Sequence, residues 1–307
     1  MPADRFPESP PDPSRSGVGL PPPGSRGWCV AEACRLEATA EKPGNVHPSA
    51  SFPDLDHGDL VAAGHAIAPA IEAAPDCSLG RTILRAVTAS RRVTRSNANL
   101  GIILAIAPLA AVPGDDAGRP FRDAAVRRIL AGLAPADAAD TWEAIAIASP
   151  GGMGRTSRWD LAGPPPEDLL AAMAEAAPHD RIARLWTEGW EPLHDGLVTD
   201  LRAELDFGRP LGDAIVRGYL RQLAREPDSL VARRHGADVA ADVSRRAGGV
   251  LERPGESWRE AAARFDHSLR HPRRINPGTT ADLCAAALYI LLREGRLPAS
   301  GMTAPAR

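Results

Sequence analysis

Stretches in which apolar and polar residues alternate, the pattern of half-buried β-strands, are almost absent from this chain of 307 residues. Alanine, leucine and arginine, all of which favour helices, dominate instead. Apolar residues also recur at helical spacing: Leu211, Ile215, Tyr219 and Leu223 fall on one face of a helix. The sequence therefore predicts an all-α fold with few strands.

The most apolar segment, LGIILAIAPLAAV at residues 100–112, predicts a buried core helix. It is shorter than the roughly 18 apolar residues that indicate a membrane span, and it contains Pro108. Around it, the periodicity predicts a single multi-helix domain of roughly ten to twelve helices with buried central helices. The helices are predicted at residues 28–41, 57–74, 79–92, 98–112, 119–134, 136–148, 166–177, 179–205, 210–225, 229–249, 256–270 and 279–295.

Residues 1–26 are rich in proline and polar residues, which predicts a disordered tail ahead of one domain at residues 27–300. A hydrophobic content of 44% is enough for a sizeable core in that domain. The segments between the predicted helices are too short and too complex in composition to indicate an interdomain linker.

The formal net charge of −3 provides no general attraction for nucleic acid or for an anionic membrane, so we expect neither as a partner. The four cysteines form no C-x-x-C pair, which argues against a disulfide framework and a structural zinc site. With no signal-peptide pattern, we expect reduced cysteines and a cytoplasmic protein. The sequence leaves homo-oligomerisation open.

Residues 36–52, LEATAEKPGNVHPSASF, end the first predicted helix in an abrupt corner. Glu37 lies on the last turn of that helix, within reach of Lys42 in the corner. Pro43 and Gly44 fix the turn, so backbone N–H groups and Asn45 can approach a ligand. The alternative is an exposed helix end with a solvated ion pair.

Two helix starts are dense in polar groups. Asn97 and Asn99 precede the most apolar helix, and a second cluster, INPGTTAD at residues 275–282, precedes the last one. Free N–H groups at such ends attract anions. The alternative is N-capping, by Asn97 or Asn99 at the first helix and by a capping box of Thr279 with Asp282 at the last.

Two further segments can hold ligands. Asp228 stands where a helix would be capped, and Arg233, Arg234 and His235 follow it in a position to hold a carboxylate, a metal or a phosphate. Residues 149–160 form a glycine-rich segment that includes Gly152 but lacks the lysine of a phosphate-binding loop. The alternatives are a helix cap, solvated arginines and a flexible loop.

In this order, the segments EATAEKPGNVH, NANLG, PGGMG, DSLVARRHG and INPGTTADL resemble the triphosphoribosyl-dephospho-coenzyme A synthase family. The resemblance spans about residues 28–297, and its most specific matches are residues 42–44 and 277–283. Members of that family make the precursor of the prosthetic group of citrate lyase and malonate decarboxylase. They join ATP to 3′-dephospho-coenzyme A and release adenine.

The resemblance implies a transferase that uses ATP as substrate and Mg²⁺ as cofactor. Carboxylates would hold Mg²⁺ on the triphosphate or stabilise the ribosyl cation, and cations and helix starts would bind the nucleotide. The expected catalytic and metal-binding residues are Glu37, Asp228 and Asp282. The expected nucleotide- and phosphate-binding residues are Lys42, Gly44, Asn45, Asn97, Asn99, Gly152, Arg233, Asn276, Gly278 and Thr279.

The chain departs from the family pattern at two places. It reads EKPGNVH where the citrate-lyase branch reads PKPGLVD, and NANLG where that branch reads NTHKG. It resembles a divergent branch from organisms with methanopterin-dependent one-carbon metabolism, so the acceptor is open. Two other functions also stay open: a Mg²⁺-dependent hydrolase of a nucleotide or an ADP-ribosyl compound, and a non-catalytic nucleotide-binding protein.

Overall fold

The computed structural model describes residues 19–94, 96, 98–114, 118–149, 163–253, 255 and 257–297. These residues contain helices, turns and two isolated β-bridges, His47 with Ala50 and Phe52 with Leu55, and no strand. Of the described residues, 70% are helical. The prediction of an all-α fold is confirmed.

Most helices begin and end within a few residues of their predicted bounds. A π-helical segment, His194–Val198, joins the helix that begins at Glu191 to the one that begins at Thr199, and a short 3-10 helix, Ala74–Asp76, follows the helix that ends at Glu72. The helices are α1 (Arg26–Thr39), α2 (His57–Glu72), α3 (Leu79–Val93), α4 (Leu100–Ala110), α5 (Asp123–Ala131), α6 (Pro135–Ala148), α7 (Leu169–Ala176), α8 (Arg181–Glu188), α9 (Glu191–Leu193), α10 (Thr199–Asp206), α11 (Leu211–Arg225), α12 (Ser229–His235), α13 (Ala237–Leu251), α14 (Ser257–Arg270) and α15 (Gly278–Arg293).

With residues 191–206 counted as one helix, the described residues form 14 helices, slightly more than the predicted ten to twelve. Two glycines account for the difference. Gly189, at φ +92°, separates α8 from α9, and Gly236, at φ +96°, separates α12 from α13. A positive φ ends a right-handed helix, and glycine adopts it without steric cost. The predicted helices 179–205 and 229–249 are therefore each two helices.

The start of the first helix lies at the boundary predicted for the tail. Ser25 is the N-cap of α1, where its hydroxyl accepts a hydrogen bond from the Trp28 N–H. Residues 1–18, most of the segment predicted to be disordered, lie outside the described residues.

Helices α4 and α15 form the centre of the core. Ten of the eleven residues of α4 and fourteen of the sixteen of α15 are buried. The two helices pack against each other, and α15 also packs against α1 and α11. Helices α1, α2, α3 and α6 pack successively side by side around them. The prediction of buried central helices is thus confirmed. Within the described residues, no helix is long and apolar enough to cross a membrane.

Two tryptophans bind the backbone of α4. Pro108 has no N–H, so the Leu104 carbonyl four residues earlier lacks its usual helical donor. The indole Nε1 of Trp186 donates to that carbonyl at 3.1 Å, and Nε1 of Trp190 donates to the Ala105 carbonyl at 2.9 Å. These hydrogen bonds fix α8 and the start of α9 against the central helix.

We expect Trp186→Phe to lower the free energy of unfolding by about 1–3 kcal/mol more than Trp258→Phe does. Both indoles are buried, so the two replacements leave similar cavities. Trp258 Nε1, however, has no hydrogen-bond partner among the described residues. Urea denaturation of the two variants measures the difference. Equal losses of stability would show that the bond to Leu104 contributes nothing.

Candidate active site

One large cavity, with a volume of about 1420 Å³, opens between α1, α4, α6, α7, α8, α12 and α15. Pockets for single drug-sized ligands usually enclose about 300–1,000 Å³, so this cavity is larger than one such ligand needs. Its wall includes apolar residues of α6 and α7 together with many charged and amide side chains. The charged and amide residues on the wall are Glu37, Asn45, Asp54, Arg91, Glu175, Asp180, Arg181, Arg184, Glu226, Arg233, Arg234, Arg274, Asn276 and Asp282.

The Lys-Pro-Gly corner contains a buried ion pair. Lys42 is 0% exposed, and its Nζ lies 2.9 Å from Oε1 of Glu37. The same Nζ donates to the carbonyls of Glu37 and Ala40. Glu37 lines the cavity, whereas Lys42 lies behind it. The alternative of an exposed, solvated pair is therefore wrong, and Lys42 holds the Glu37 carboxylate at the cavity wall.

The backbone of the corner packs directly against the segment before α15. Gly44 has φ +83°, and a Cβ at this position would lie 2.8 Å from the Ile275 carbonyl oxygen and from Pro277 Cδ. The Tyr219 hydroxyl donates to the Pro43 carbonyl at 2.8 Å. The two motifs that carry the resemblance, some 230 residues apart in the chain, are thus neighbours, and glycine is required where they meet.

Asn45 offers an unused hydrogen-bond acceptor. Its Nδ2 donates to Oδ1 of Asn276 at 2.5 Å and to the Pro277 carbonyl at 3.4 Å. Its Oδ1 is buried and has no hydrogen-bond partner among the described residues. Asn45 and Asn276 both line the cavity. Because the amide nitrogen is already engaged, Asn45 presents an acceptor suited to a hydroxyl or amino group of a ligand.

Asp282 lies in the first turns of α15 and lines the cavity at the start of α4. A Cβ at Gly101 would overlap the Asp282 carboxylate, so the glycine lets this carboxylate approach α4. The alternative of a capping box with Thr279 is wrong, because α15 begins at Gly278 and has no side-chain cap. Thr279 Oγ1 instead accepts a hydrogen bond from the Ser229 hydroxyl at 3.1 Å.

Burial and neighbouring carboxylates both disfavour ionisation of Asp282. Burial raises the pKa of Asp282 well above its usual range, and the Glu37 and Asp228 carboxylates add to the shift. Asp180 acts in the same direction, and Arg233 opposes it. A cation bound beside Asp282 would relieve this repulsion.

Asp228 is fully buried and joins two helices. Its Oδ1 accepts from the Val231 N–H at 3.0 Å, which caps α12. Its Oδ2 accepts from the N–H of Thr280 at 2.7 Å and from its hydroxyl at 2.8 Å. Burial raises the pKa of Asp228, and these hydrogen bonds oppose the shift. Asp228 is not among the residues that line the cavity, so its contacts support the capping interpretation.

The described residues include no group of three or more His, Cys, Asp or Glu side chains that could hold a metal ion. The expected metal site of Glu37, Asp228 and Asp282 is therefore not assembled as a three-carboxylate group. Glu37 and Asp282 share the cavity wall, and the carboxylate of Asp228 is occupied by its three donors.

The structure brings seven of the thirteen predicted site residues to the cavity: Glu37, Asn45, Arg233, Asn276, Gly278, Thr279 and Asp282. Lys42, Gly44 and Asp228 support that wall from behind. Asn99 is the N-cap residue of α4 and is buried, but its side chain makes no capping hydrogen bond. Asn97 and Gly152 lie outside the described residues.

Sequence reasoning missed the other charged residues on the wall near α8 and α12. Asp180 and Arg181 begin α8, Arg184 follows one turn later, and Glu226 precedes α12. Their spacing is that of an ordinary amphipathic helix, so only the contact between these elements in the folded chain reveals them.

The sequence model of the ATP:dephospho-CoA triphosphoribosyl transferase family matches residues 24–300, which is most of the chain. This chain belongs to that family. It is therefore an enzyme of the transferase class to which the family model refers. No curated protein matches the chain.

The fold is also similar to a crystal structure of a provisionally named triphosphoribosyl-dephospho-CoA synthase from Archaeoglobus fulgidus. That match has a TM-score of 0.60 and 26% sequence identity, and it covers 76% of this chain and 99% of the other. The resemblance inferred from the motifs is thus confirmed by the family model and by the fold.

We expect Asp228→Asn to lower the free energy of unfolding by about 1–3 kcal/mol. An amide has one acceptor oxygen, so its NH₂ group would face at least one of the buried donors that Asp228 now satisfies. Asp56→Asn is the control, because Asp56 caps α2 from an exposed position and asparagine caps about as well as aspartate. Denaturant unfolding of both variants measures the effect, and unchanged stability of Asp228→Asn would contradict the assignment.

We expect Asp282→Asn to become increasingly stabilising as the pH rises from 4 to 8 in the absence of ligands. A carboxyl whose pKa is raised by folding contributes stability below its unfolded pKa and loses it as the pH rises through its folded pKa. Asparagine removes that loss. Thermal melts of wild type and variant across this range measure the difference, with the exposed Asp206→Asn as control. A difference that does not change with pH would contradict the raised pKa of Asp282.

Proposed function

We propose that this enzyme transfers the 5-triphosphoribosyl group of ATP to 3′-dephospho-coenzyme A or a related acceptor, with release of adenine. The observation that carries the proposal is the cavity wall itself. It places two carboxylates, Glu37 and Asp282, in the same cavity as a group of arginines. Carboxylates stabilise a ribosyl cation, and arginines neutralise the charge of a triphosphate.

The chemistry breaks the bond between C1 of the ribose and adenine, and the electron pair leaves with the base. Positive charge then develops on the ribose, and an acceptor hydroxyl attacks C1. The proton that this hydroxyl loses ends on the departing base, which is released as neutral adenine. Glu37, held in place by Lys42, provides fixed negative charge for that cation. The free acceptor on Asn45 is suited to a hydroxyl group of the sugar. The size of the cavity supports binding of both substrates at once.

Mg²⁺ belongs to the same proposal. This ion is usually bound through one or two carboxylates plus substrate phosphates and water, so it needs no cage of three protein carboxylates. Glu37 and Asp282 are the expected ligands. The mutual repulsion at Asp282 supports this role, because a divalent cation would offset it. Bound there, the ion would neutralise charge on the triphosphate.

We further propose that residues 27–300 are the catalytic domain and that the protein acts in the cytoplasm on small-molecule substrates. The family match across residues 24–300 supports the first point. The four free cysteines are in keeping with a reducing compartment.

Adenine release from ATP, followed by chromatography with and without dephospho-coenzyme A, tests the proposed function. We expect adenine release that depends on the acceptor and on Mg²⁺. In Asp282→Asn the rate of release should fall by about 100-fold or more, because asparagine lacks the negative charge that stabilises the transition state. Asp206→Asn, on an exposed part of α10, should keep the wild-type rate.

Three results would count against parts of this proposal. Release of adenine without any acceptor would indicate a hydrolase. Binding of ATP without release would indicate a nucleotide-binding protein. A wild-type rate in folded Asp282→Asn would remove Asp282 from the mechanism.

A further inference from the structure

Four arginines line one part of the cavity, where the start of α8 meets α12. They are Arg181, Arg184, Arg233 and Arg234, and the acidic residues beside them on the wall are Asp180 and Glu226. This part of the wall, the arginine wall, therefore carries an excess of positive charge.

Both acidic residues already pair with arginines of this wall. Glu226 is shared by two cations: its Oε2 lies 3.0 Å from Nε of Arg181, and its Oε1 binds Arg184. Asp180 Oδ1 accepts from two backbone N–H groups of α8, and its Oδ2 accepts from Arg233 at 3.1 Å. Two carboxylates do not neutralise four guanidinium groups, so a net positive charge remains on this wall.

Arg181 is the most buried of the four. Its side chain is 7% exposed, and its Nη1 is buried with no hydrogen-bond partner among the described residues. Burial lowers the pKa of Arg181, although Glu226 and Asp228 partly oppose the shift. Burying a cation whose N–H donor has no partner costs free energy, unless a ligand accepts a hydrogen bond from that donor. Nε of Arg233 is likewise buried without a partner in the part of the chain that the structure describes.

Guanidinium groups suit one class of ligand above others. Their planar N–H donors match the spacing of phosphate oxygens, and several converging arginines can bind a chain of phosphates. Lys42, the cation that the motif suggested for this task, is fully buried and paired with Glu37. The phosphate-binding charge must then come from elsewhere on the wall.

We propose that the arginine wall is a polyphosphate-binding site in which Arg181 is the central ligand and Arg184, Arg233 and Arg234 contribute further donors. The site binds a chain of linked phosphates, the group shared by the triphosphate of the nucleotide donor and the diphosphate of the acceptor. The proposal depends on the proposed function only for the identity of these two compounds.

Isothermal titration calorimetry with inorganic tripolyphosphate tests the site directly. We expect wild type to bind it with an affinity that falls as salt rises, and Arg181→Gln to bind about tenfold or more weakly. Arg217→Gln is the matched control. Arg217 is 12% exposed and pairs with Glu204 at 3.0 Å, and it does not line the cavity. This control should lose stability but keep the wild-type affinity.

Arg234→Gln provides a second variant, because Arg234 is exposed and its replacement leaves no buried carboxylate unpaired. We expect it to bind tripolyphosphate several-fold more weakly and with a smaller salt dependence. If Arg181→Gln fails to fold, this variant decides the question. Wild-type affinity in the folded variants, or no binding by wild type, would overturn the proposal.

Titrations with ATP and with dephospho-coenzyme A identify which substrate supplies the phosphates. A selective loss of ATP affinity in Arg181→Gln assigns the site to the donor, and a selective loss of dephospho-coenzyme A affinity assigns it to the acceptor. Adenine release is measured in parallel. Polyphosphate binding through these arginines without adenine release would contradict the proposed function alone, whereas adenine release with unchanged affinity in Arg181→Gln would contradict this site alone.

Discussion

The buried ion pair of Lys42 with Glu37 is the constraint on which the site depends. Removing two charges from water costs several kcal/mol per ion, so the pair persists only where its geometry is good and further hydrogen bonds complete it. Lys42 meets this condition with one carboxylate and two carbonyls. The end of α1 must therefore turn sharply, and the corner must be covered. The segment before α15 provides the cover, and this contact brings Asp282 to the same wall as Glu37.

Local patterns in the sequence were enough to predict the fold class and the buried helices α4 and α15, because an all-round apolar helix must be surrounded. They did not predict the two breaks at Gly189 and Gly236. Glycine within a helix costs only about 1 kcal/mol, so the sequence does not distinguish a tolerated glycine from one that ends the helix. The positive φ that decides the matter is imposed by tertiary packing.

The same limit applies to the site. Asp228 and Asp282 are aspartates near the starts of helices, and both were predicted to act in catalysis. Their contacts differ because Thr280, 52 residues along the chain, reaches Asp228 and not Asp282. Arg181 carried no local signal, since an arginine at the start of an amphipathic helix is ordinary. Only the meeting of α8 with α12 makes it part of a cavity wall.

The position of residues 99–101 beside Asp282 shows what the difference between NTHKG and NANLG does to the cavity. At the positions of the His-Lys pair, the chain has Asn99, which is buried, and Leu100, which is buried and lines the cavity. The following Gly101 lies against the Asp282 carboxylate, so a lysine one residue earlier would place a cation near that group. In this chain the apolar side chain of Leu100 takes the place of that lysine. Lys42 already pairs with Glu37, so only Asp282 is left to be offset, by Arg233 and by a metal ion bound with the substrate. We therefore expect this enzyme to differ from family members that carry NTHKG in the part of the substrate that lies against the start of α4.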